Sequence, residues 1–563
     1  MSHSPVGAST RFSSMPVVVF LVILFCNLYL MGRSPLYRTE AHRAVTAHQM
    51  LRSGNWLVPH LYSRVYLRKP PMQYWVEAVS ERLFGGERFG KNEWAWRLPS
   101  ALGSAAMGAF LGWMALRWFG RPAGWVSGFA CLALIALWSK NRSADIDSLN
   151  IAASIVCACA MIELQVGQPA RPWRWMGVIG LTLGMTLLLK GPAGLPVVGG
   201  ALIGPPWAVK SWRTWKSRPL WFGIAIGPVL FGAWVVLAYF SLRAVGGDAD
   251  LSGVHEAAVQ MTGRSLTPAH FVKVLTLPLI LLLYALPVSA APAVLLRPSV
   301  LERFDDRERR LIRSLIATVA AALAIGVLSQ MTNPRYGYVS LAIFCPLAGA
   351  IAPAWRRGRL SESVQLRLRQ LLTCTAFGYA VAAVVLCTIV WHASADGEYA
   401  GERARLAVII AVTVLTAAWT IRQWLKQRVA RGGWGIVLLC VVCSMAFNHF
   451  RDRQRYEKSA YHAGLEMRRI MGHRGEVIAG AALWDRPELF YYAGVERVGS
   501  LTGFLKHQPP VSSDTSLVLT ADEYQILKLL KGQMKIHIAE VIALPMERGA
   551  YLARLTRSHP QSP

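Results

Sequence analysis

Four clusters of charged side chains interrupt an otherwise apolar chain. Glu40 stands beside His42 and Arg43, and Tyr66 leads into Arg68-Lys69-Pro70-Pro71. Lys140 shortly precedes Asp145 and Asp147, while Lys190-Gly191-Pro192 and Asn333-Pro334-Arg335-Tyr336 lie at ends of apolar runs. An ionisable group at membrane depth is costly unless it is paired or solvated, so each cluster is a functional hypothesis by default. Acids and cations converging on one cavity would suit a phosphate-bearing, lipid-linked substrate. The cations would hold phosphate oxygens by charge-assisted hydrogen bonds, and the carboxylates would position or deprotonate an acceptor. The plain alternative is a loop charge or one that snorkels to the interface. It is weakest for Lys190, which has no other charge close in sequence.

The elements that must position these residues are membrane helices. The chain has 563 residues, of which 54% are hydrophobic, and a mean hydropathy of +0.35. That is too apolar for a soluble protein of this size. Apolar runs long enough for a hydrocarbon core of ~30 Å recur to about residue 447. They predict about thirteen spans, at 15–32, 99–117, 123–138, 148–166, 175–190, 192–209, 220–242, 271–293, 311–330, 336–354, 371–391, 404–421 and 434–448. The formal charge of +29 would point to nucleic acid in a soluble chain. Here the excess sits in short loops, as the positive-inside rule describes, and no nucleic-acid partner is expected. Alternation from a cytoplasmic N-terminus puts those basic loops inside. It puts both long polar stretches, 36–97 and the C-terminus, outside. The nine cysteines, including Cys440-x-x-Cys443, read as membrane-buried thiols with no disulfide framework.

Within the outer stretch the apolar spacing predicts a helix over Thr39–Ser53, stopped by Gly54, and a second from Pro70-Pro71 to Leu83. Trp56, Tyr62, Tyr66, Tyr74 and Trp75 would suit helices lying in the headgroup zone. A membrane region over 1–450 is followed by a small α/β domain over 451–563. In it, Glu476–Ala481, Ser516–Thr520 and Ile536–Leu544 read as strands, and Tyr456–Gly472, Pro487–Ala493 and Ala521–Lys531 as helices.

Several motifs carry a resemblance. They are Thr39-Glu40-Ala41-His42-Arg43-Ala44 with Met50-Leu51, Gly54, Trp56 and Pro59; Tyr66 with Arg68-Lys69-Pro70-Pro71-Met72-Gln73-Tyr74-Trp75; and Arg97-Leu98-Pro99-Ser100. Asp147-Ser148-Leu149, Lys190-Gly191-Pro192 with Gly194-Leu195, Arg335-Tyr336 with Pro346, and Arg486-Pro487 to Gly494 extend it along nearly the whole chain. In these the sequence resembles the bacterial lipid-linked glycosyltransferases of the GT-C class, in the protein mannosyltransferase superfamily. The nearest branch is the 4-amino-4-deoxy-L-arabinose lipid A transferases.

The resemblance implies transfer of a sugar from a polyprenyl-phosphate donor at the periplasmic face of a bacterial inner membrane. The acceptor would be a glycolipid such as lipid A, or a protein, among membrane lipids. It implies that Lys69 holds the carrier phosphate, with Arg68, His42, Arg43, Tyr66, Lys190, Arg335 and Tyr336 binding substrate and Glu40 and Asp147 as the catalytic carboxylates, the candidate bases should the acceptor be a hydroxyl. Thr39, the His42-Arg43 pair and Arg68 depart from the family pattern. The last replaces an acid associated with a zinc ligand, so no metal ligands are assigned and the need for a divalent metal is left undecided. A histidine ligand, His255 or His270, is not placed either. The rivals are a catalytically inactive lipid-binding homologue and a lipid or solute transporter. The transporter would carry charges at mid-span and an inverted repeat.

Overall fold

The computed structural model describes residues 14–62, 64–85, 93–245, 267–393, 402–472, 476–495, 497–501, 516–530, 536–546 and 550–557. The chain opens with α1 (Met15–Leu28), α2 (Thr39–Ser53), a short hairpin of β1 (His60–Leu61) and β2 (Arg64–Val65), and α3 (Met72–Phe84). The helical body follows with α4 (Glu93–Phe119), α5 (Arg121–Ala130), α6 (Ile135–Asn141), α7 (Ile146–Ile162), α8 (Pro172–Lys190), α9 (Leu195–Ala208) and α10 (Arg218–Val245). Further long helices cover Pro268–Tyr284, Asp306–Leu328, Phe344–Arg356, Glu362–Ala393, Arg403–Leu425 and Val429–Lys458.

Every predicted apolar run falls on a helix. By length and composition, nine helical segments among the described residues can cross a membrane, or up to eleven if each of two bent pairs is one span. Two of the thirteen expected spans do not stand separately among these: the Met15–Leu28 helix is only 14 residues long, and residues 172–208 form a single segment of 37 residues although α8 ends at Lys190 and α9 begins at Leu195. That run turns at Gly191, whose φ of +62° favours a residue without Cβ. Beyond the turn Gly194 packs against Thr186 and Ser154. Ala201 of α9 then accepts a hydrogen bond from Gln165, just past the far end of α7.

The charges separate by end. At the end of α7 opposite Asp147, Glu163 accepts from Arg117 at 2.7 Å. Glu308 likewise pairs with Arg357 and Arg359 at 3.1 and 2.8 Å. The Asp145–Asp147 end faces α2, α3 and the C-terminal unit.

That unit carries a five-stranded sheet in the order β4-β3-β5-β7-β6. β3 (Glu476–Ala479) pairs in parallel with β4 (Arg497–Ser500) and β5 (Ser516–Thr520). β7 (Ala550–Arg557) runs antiparallel to both β5 and β6 (Ile536–Leu544). Strands β4 and β7 were not read from the sequence. The predicted helix from Tyr456 also needs correction: the last long helix continues to Lys458 and a separate helix covers Tyr461–Met471.

One apolar core joins this unit to the outer stretch. Ala41, Val45, Tyr62, Tyr74 and Trp96 pack with Phe490, Tyr491, Tyr492, Val518 and Leu552. The Tyr492 hydroxyl accepts from the Leu36 amide at 2.7 Å and donates to Glu93 at 3.0 Å. Tyr62 donates to the Pro487 carbonyl at 3.2 Å. Tyr62 and Tyr74 are therefore buried in protein rather than presented to headgroups. Burial between two protein layers removes more of their apolar surface from water than an interface could.

Candidate active site

The site is built where four chain segments meet. Asp145 is the N-cap of α7, its Oδ1 accepting from the Ile146 amide at 2.9 Å. That fixes Asp147 in the first turn of the helix. Asp147 Oδ1 accepts from Lys190 at the end of α8. Asp147 Oδ2 lies 2.9 Å from Lys140 Nζ and accepts from Arg335 Nε at 3.0 Å and Nη2 at 2.8 Å. Asp145 Oδ2 shares the same two cations, at 2.8 Å from Lys140 and 3.2 Å from Arg335. Arg335 is placed by Asn333, whose side chain accepts from the Arg335 amide at 3.1 Å, with Pro334 at the first helical position. Lys190 Nζ also lies 4.8 Å from the centre of the Tyr336 ring, within cation–π range.

Lys69 completes the cluster. It is half-buried, and among the described residues it forms no ion pair. Burial pushes its ammonium down to about 8, and Arg43, Lys190 and Arg335 push it the same way, against Asp147. Arg43 is buried and donates to the Tyr66 and Tyr74 hydroxyls at 3.3 and 3.4 Å. His42 lies beside the Tyr66 ring at 5.9 Å between centroids. Burial lowers His42 to about 4, which leaves it neutral near pH 7. Arg68 is exposed.

The structure thus brings Asp147, Lys190, Arg335, Tyr336, Lys69, Arg43 and Tyr66 to one end of the bundle. It does not bring Glu40 into the same environment. Glu40 is 2% exposed. Its Oε1 accepts from Arg97 Nε at 3.1 Å and from the Ala144 amide at 3.0 Å. Its Oε2 accepts from Arg97 Nη2 at 3.1 Å and pairs with Arg455 at 2.8 Å. Burial pushes this carboxyl upward, but the Arg455 and Arg97 guanidiniums outweigh it and hold the group below the usual carboxylate range. With all its acceptor sites occupied by protein donors, Glu40 cannot take a substrate proton, and a catalytic role does not fit this placement.

Three contributors were not chosen from the sequence. Lys140 and Asp145 lay in a noted cluster, but nothing there told which of its charges face Asp147. Tyr74 was read as an interfacial aromatic.

A metal fits this donor set poorly. Both carboxylates are already neutralised by lysine and arginine, and the residue preceding Lys69 is a cation. Among the described residues no three His, Cys, Asp or Glu side chains gather as a metal-binding group. His270 begins the Pro268–Tyr284 helix, and His255 lies outside the described residues.

Residues 68–239 match the family model for dolichyl-phosphate-mannose-protein mannosyltransferases. An undecaprenyl phosphate-alpha-4-amino-4-deoxy-L-arabinose arabinosyl transferase from Enterobacter sp. (strain 638) is 29% identical over 213 residues, 37% of each chain. One from Aeromonas salmonicida is 23% identical over 384 residues, 58% of this chain and 65% of that one. The matches to these two relatives thus span between 37% and 65% of the relatives' own length. The crystal structure of ArnT from Cupriavidus metallidurans bound to undecaprenyl phosphate superposes with a TM-score of 0.67. It is 19% identical, and 97% of this chain and 98% of that one are covered. Its apo form gives the same TM-score at 18% identity, covering 95% and 97%. This chain therefore has the GT-C type fold, and it resembles the lipid-linked glycosyltransferases of that class.

Proposed function

We propose that this protein is an integral-membrane glycosyltransferase that moves a sugar from a polyprenyl-phosphate donor to an anionic lipid acceptor. Lys69 is the observation that carries the reading. It is an ammonium without an acid partner among the described residues, set among Arg43, Lys190 and Arg335 beside two carboxylates already paired with other cations. Five cations (Arg43, Lys69, Lys140, Lys190 and Arg335) face Asp145 and Asp147, a surplus of three positive charges. Such a surplus in a poorly hydrated site favours bound phosphate. The names of the curated relatives and the undecaprenyl phosphate in the ArnT crystal structure support a lipid-linked donor.

In this reading Lys69 and Arg335 hold the donor phosphate. An acceptor oxygen forms a bond to the anomeric carbon, and the bond from that carbon to the phosphate oxygen breaks, its electron pair leaving with the carrier phosphate. The fixed cations stabilise the charge that develops there. Phosphate leaves without a strong general acid. Asp145 is tied to Lys140 and Arg335, and Asp147 to Lys140, Lys190 and Arg335, an arrangement that suits positioning better than proton abstraction from a hydroxyl. That favours an acceptor already ionised, such as a lipid A phosphate, and makes positioning the main catalytic contribution. By likeness to the named relatives, the sugar is a 4-aminopentose. The site faces the periplasm of a bacterial inner membrane, together with the C-terminal unit.

The test is purified protein in lipid with undecaprenyl phosphate aminoarabinose and lipid A, followed by mass spectrometry. A single aminopentose increment on lipid A that disappears in Lys69→Ala supports the reading. Transfer only to an acceptor that lacks phosphate would refute the anionic acceptor. No transfer with retained undecaprenyl phosphate binding would favour the lipid-binding homologue.

A further inference from the structure

The contacts of Glu40 belong to a larger arrangement centred on the loop before α7. Arg142, Ser143 and Ala144 are each tied to a different group. The Ala144 amide donates to Glu40 at 3.0 Å. Ser143 Oγ accepts from Arg451. Arg142 Nη1 pairs with Asp452 at 3.5 Å, and its Nη2 donates to the Tyr29 carbonyl at 2.9 Å. Arg451, Asp452 and Arg455 stand within about one turn of each other on the Val429–Lys458 helix, and Arg455 closes the circuit on Glu40 at 2.8 Å. Arg97 anchors the other side, donating to the Met31, Ser34 and Pro35 carbonyls at 2.6, 2.8 and 2.9 Å. The next residue after this tethered loop is Asp145, followed two positions on by Asp147.

We propose that Glu40 is a positioning residue, the joint at which the last long helix locks residues 142–144 and so sets Asp145 and Asp147 against their cations. This rests on the glycosyl-transfer reading above. A carboxylate that is 2% exposed, with both oxygens doubly engaged, acts on substrate only through what it holds. What it holds is a backbone amide adjacent to the site. Glu40 is the fully engaged member of this buried network, and the geometry it holds is lost when one of its partners goes.

The experiment uses the full chain in lipid nanodiscs. Three readouts are compared for wild type, Glu40→Gln, Arg455→Met, Arg455→Lys and Lys69→Ala. They are hydrogen exchange of the peptide covering 142–147, binding of undecaprenyl phosphate alone, and turnover with the sugar-bearing donor. Glu40→Gln and Arg455→Met are expected to speed exchange and lower kcat, each by about tenfold or more. Undecaprenyl phosphate affinity should fall clearly less than in Lys69→Ala, because Glu40 does not hold Lys69 and reaches Arg335 only through Asp145 and Asp147. Arg455→Lys should recover most of the loss. If Glu40→Gln does not fold, Arg455→Met carries the same readouts with Glu40 still paired to Arg97. A fall in kcat without faster exchange would overturn the proposal. So would a loss of carrier affinity in Glu40→Gln as large as in Lys69→Ala. Wild type that neither binds the carrier nor transfers sugar would defeat the transfer reading instead, while faster exchange in the two variants would still uphold the clamp.

Discussion

Two buried ionic clusters sit side by side at one end of this molecule, and they differ in what their cations face. Around Glu40, the donors of Arg97 end on the Glu40 carboxylate and on carbonyl oxygens of the chain itself, and the two Nη groups of Arg142 reach Asp452 and the Tyr29 carbonyl. Around Asp147 each carboxylate is paired with cations, but the cations outnumber the carboxylates. Arg335 keeps 37% of its side-chain exposure, and Lys69 has no acid partner among the described residues. Glu40 itself is fully engaged by protein donors, whereas the cations around Asp147 leave room for an anion from outside. The same residue types therefore serve structure in one place and recognition in the other, and the geometry of their acceptors separates the two.

Substitutions can break that contrast. The largest effect is expected from Arg97→Met, which leaves Glu40 and three carbonyls without their donor. Loss of one partner of a buried pair costs about 3–5 kcal/mol, to be seen as a lower thermal midpoint or loss of folded protein. Asp147→Asn should leave a folded chain in which Lys140, Lys190 and Arg335 lose their common anchor. Its transfer rate should drop by about 100-fold to 1,000-fold at unchanged expression. Lys69→Ala should leave stability intact and weaken undecaprenyl phosphate binding by about 10- to 100-fold by calorimetry.

The smallest effect is a pH dependence. Lys69 is charged below about 8 and loses its proton as pH rises through that value. Carrier affinity should therefore be full below that pH and decline above it. Lys69→Arg, which keeps its charge, should remove the alkaline decline. A decline that persists in Lys69→Arg would assign it to another group.

Much of this was legible before any coordinates. The bounds of α2, Thr39–Ser53 with Gly54 as a left-handed cap, follow from apolar spacing and one glycine. Lys190 and Arg335 could be read because each stands alone at the end of an apolar run, and Asp147 because its group of charges borders one, where a charge is conspicuous. The surroundings of Glu40 could not be read, for the opposite reason. Its partners Arg97, Ala144 and Arg455 lie far along the chain, and no local pattern announces a backbone amide as an acid's partner. The helix ending at Lys458 outran its apolar stretch because Arg451, Asp452 and Arg455, polar in sequence, are paired inside the protein. Strand β4 escaped notice because it is only four residues long and contains a glycine.

The joint between Glu40 and Arg455 also bears on biosynthesis. Glu40 enters the membrane system with the first helices, whereas Arg455 is made only after nearly all the others. Chains fold largely from the N-terminus as they emerge, so the loop before α7 waits for its last tether until the final long helix is in place. A chain cut after the Arg403–Leu425 helix should insert its earlier spans yet expose residues 142–147 to protease. Addition of the Val429–Lys458 helix in trans should protect them. Completion of the site would then report completion of the helical body, a checkpoint inherent in the order of synthesis.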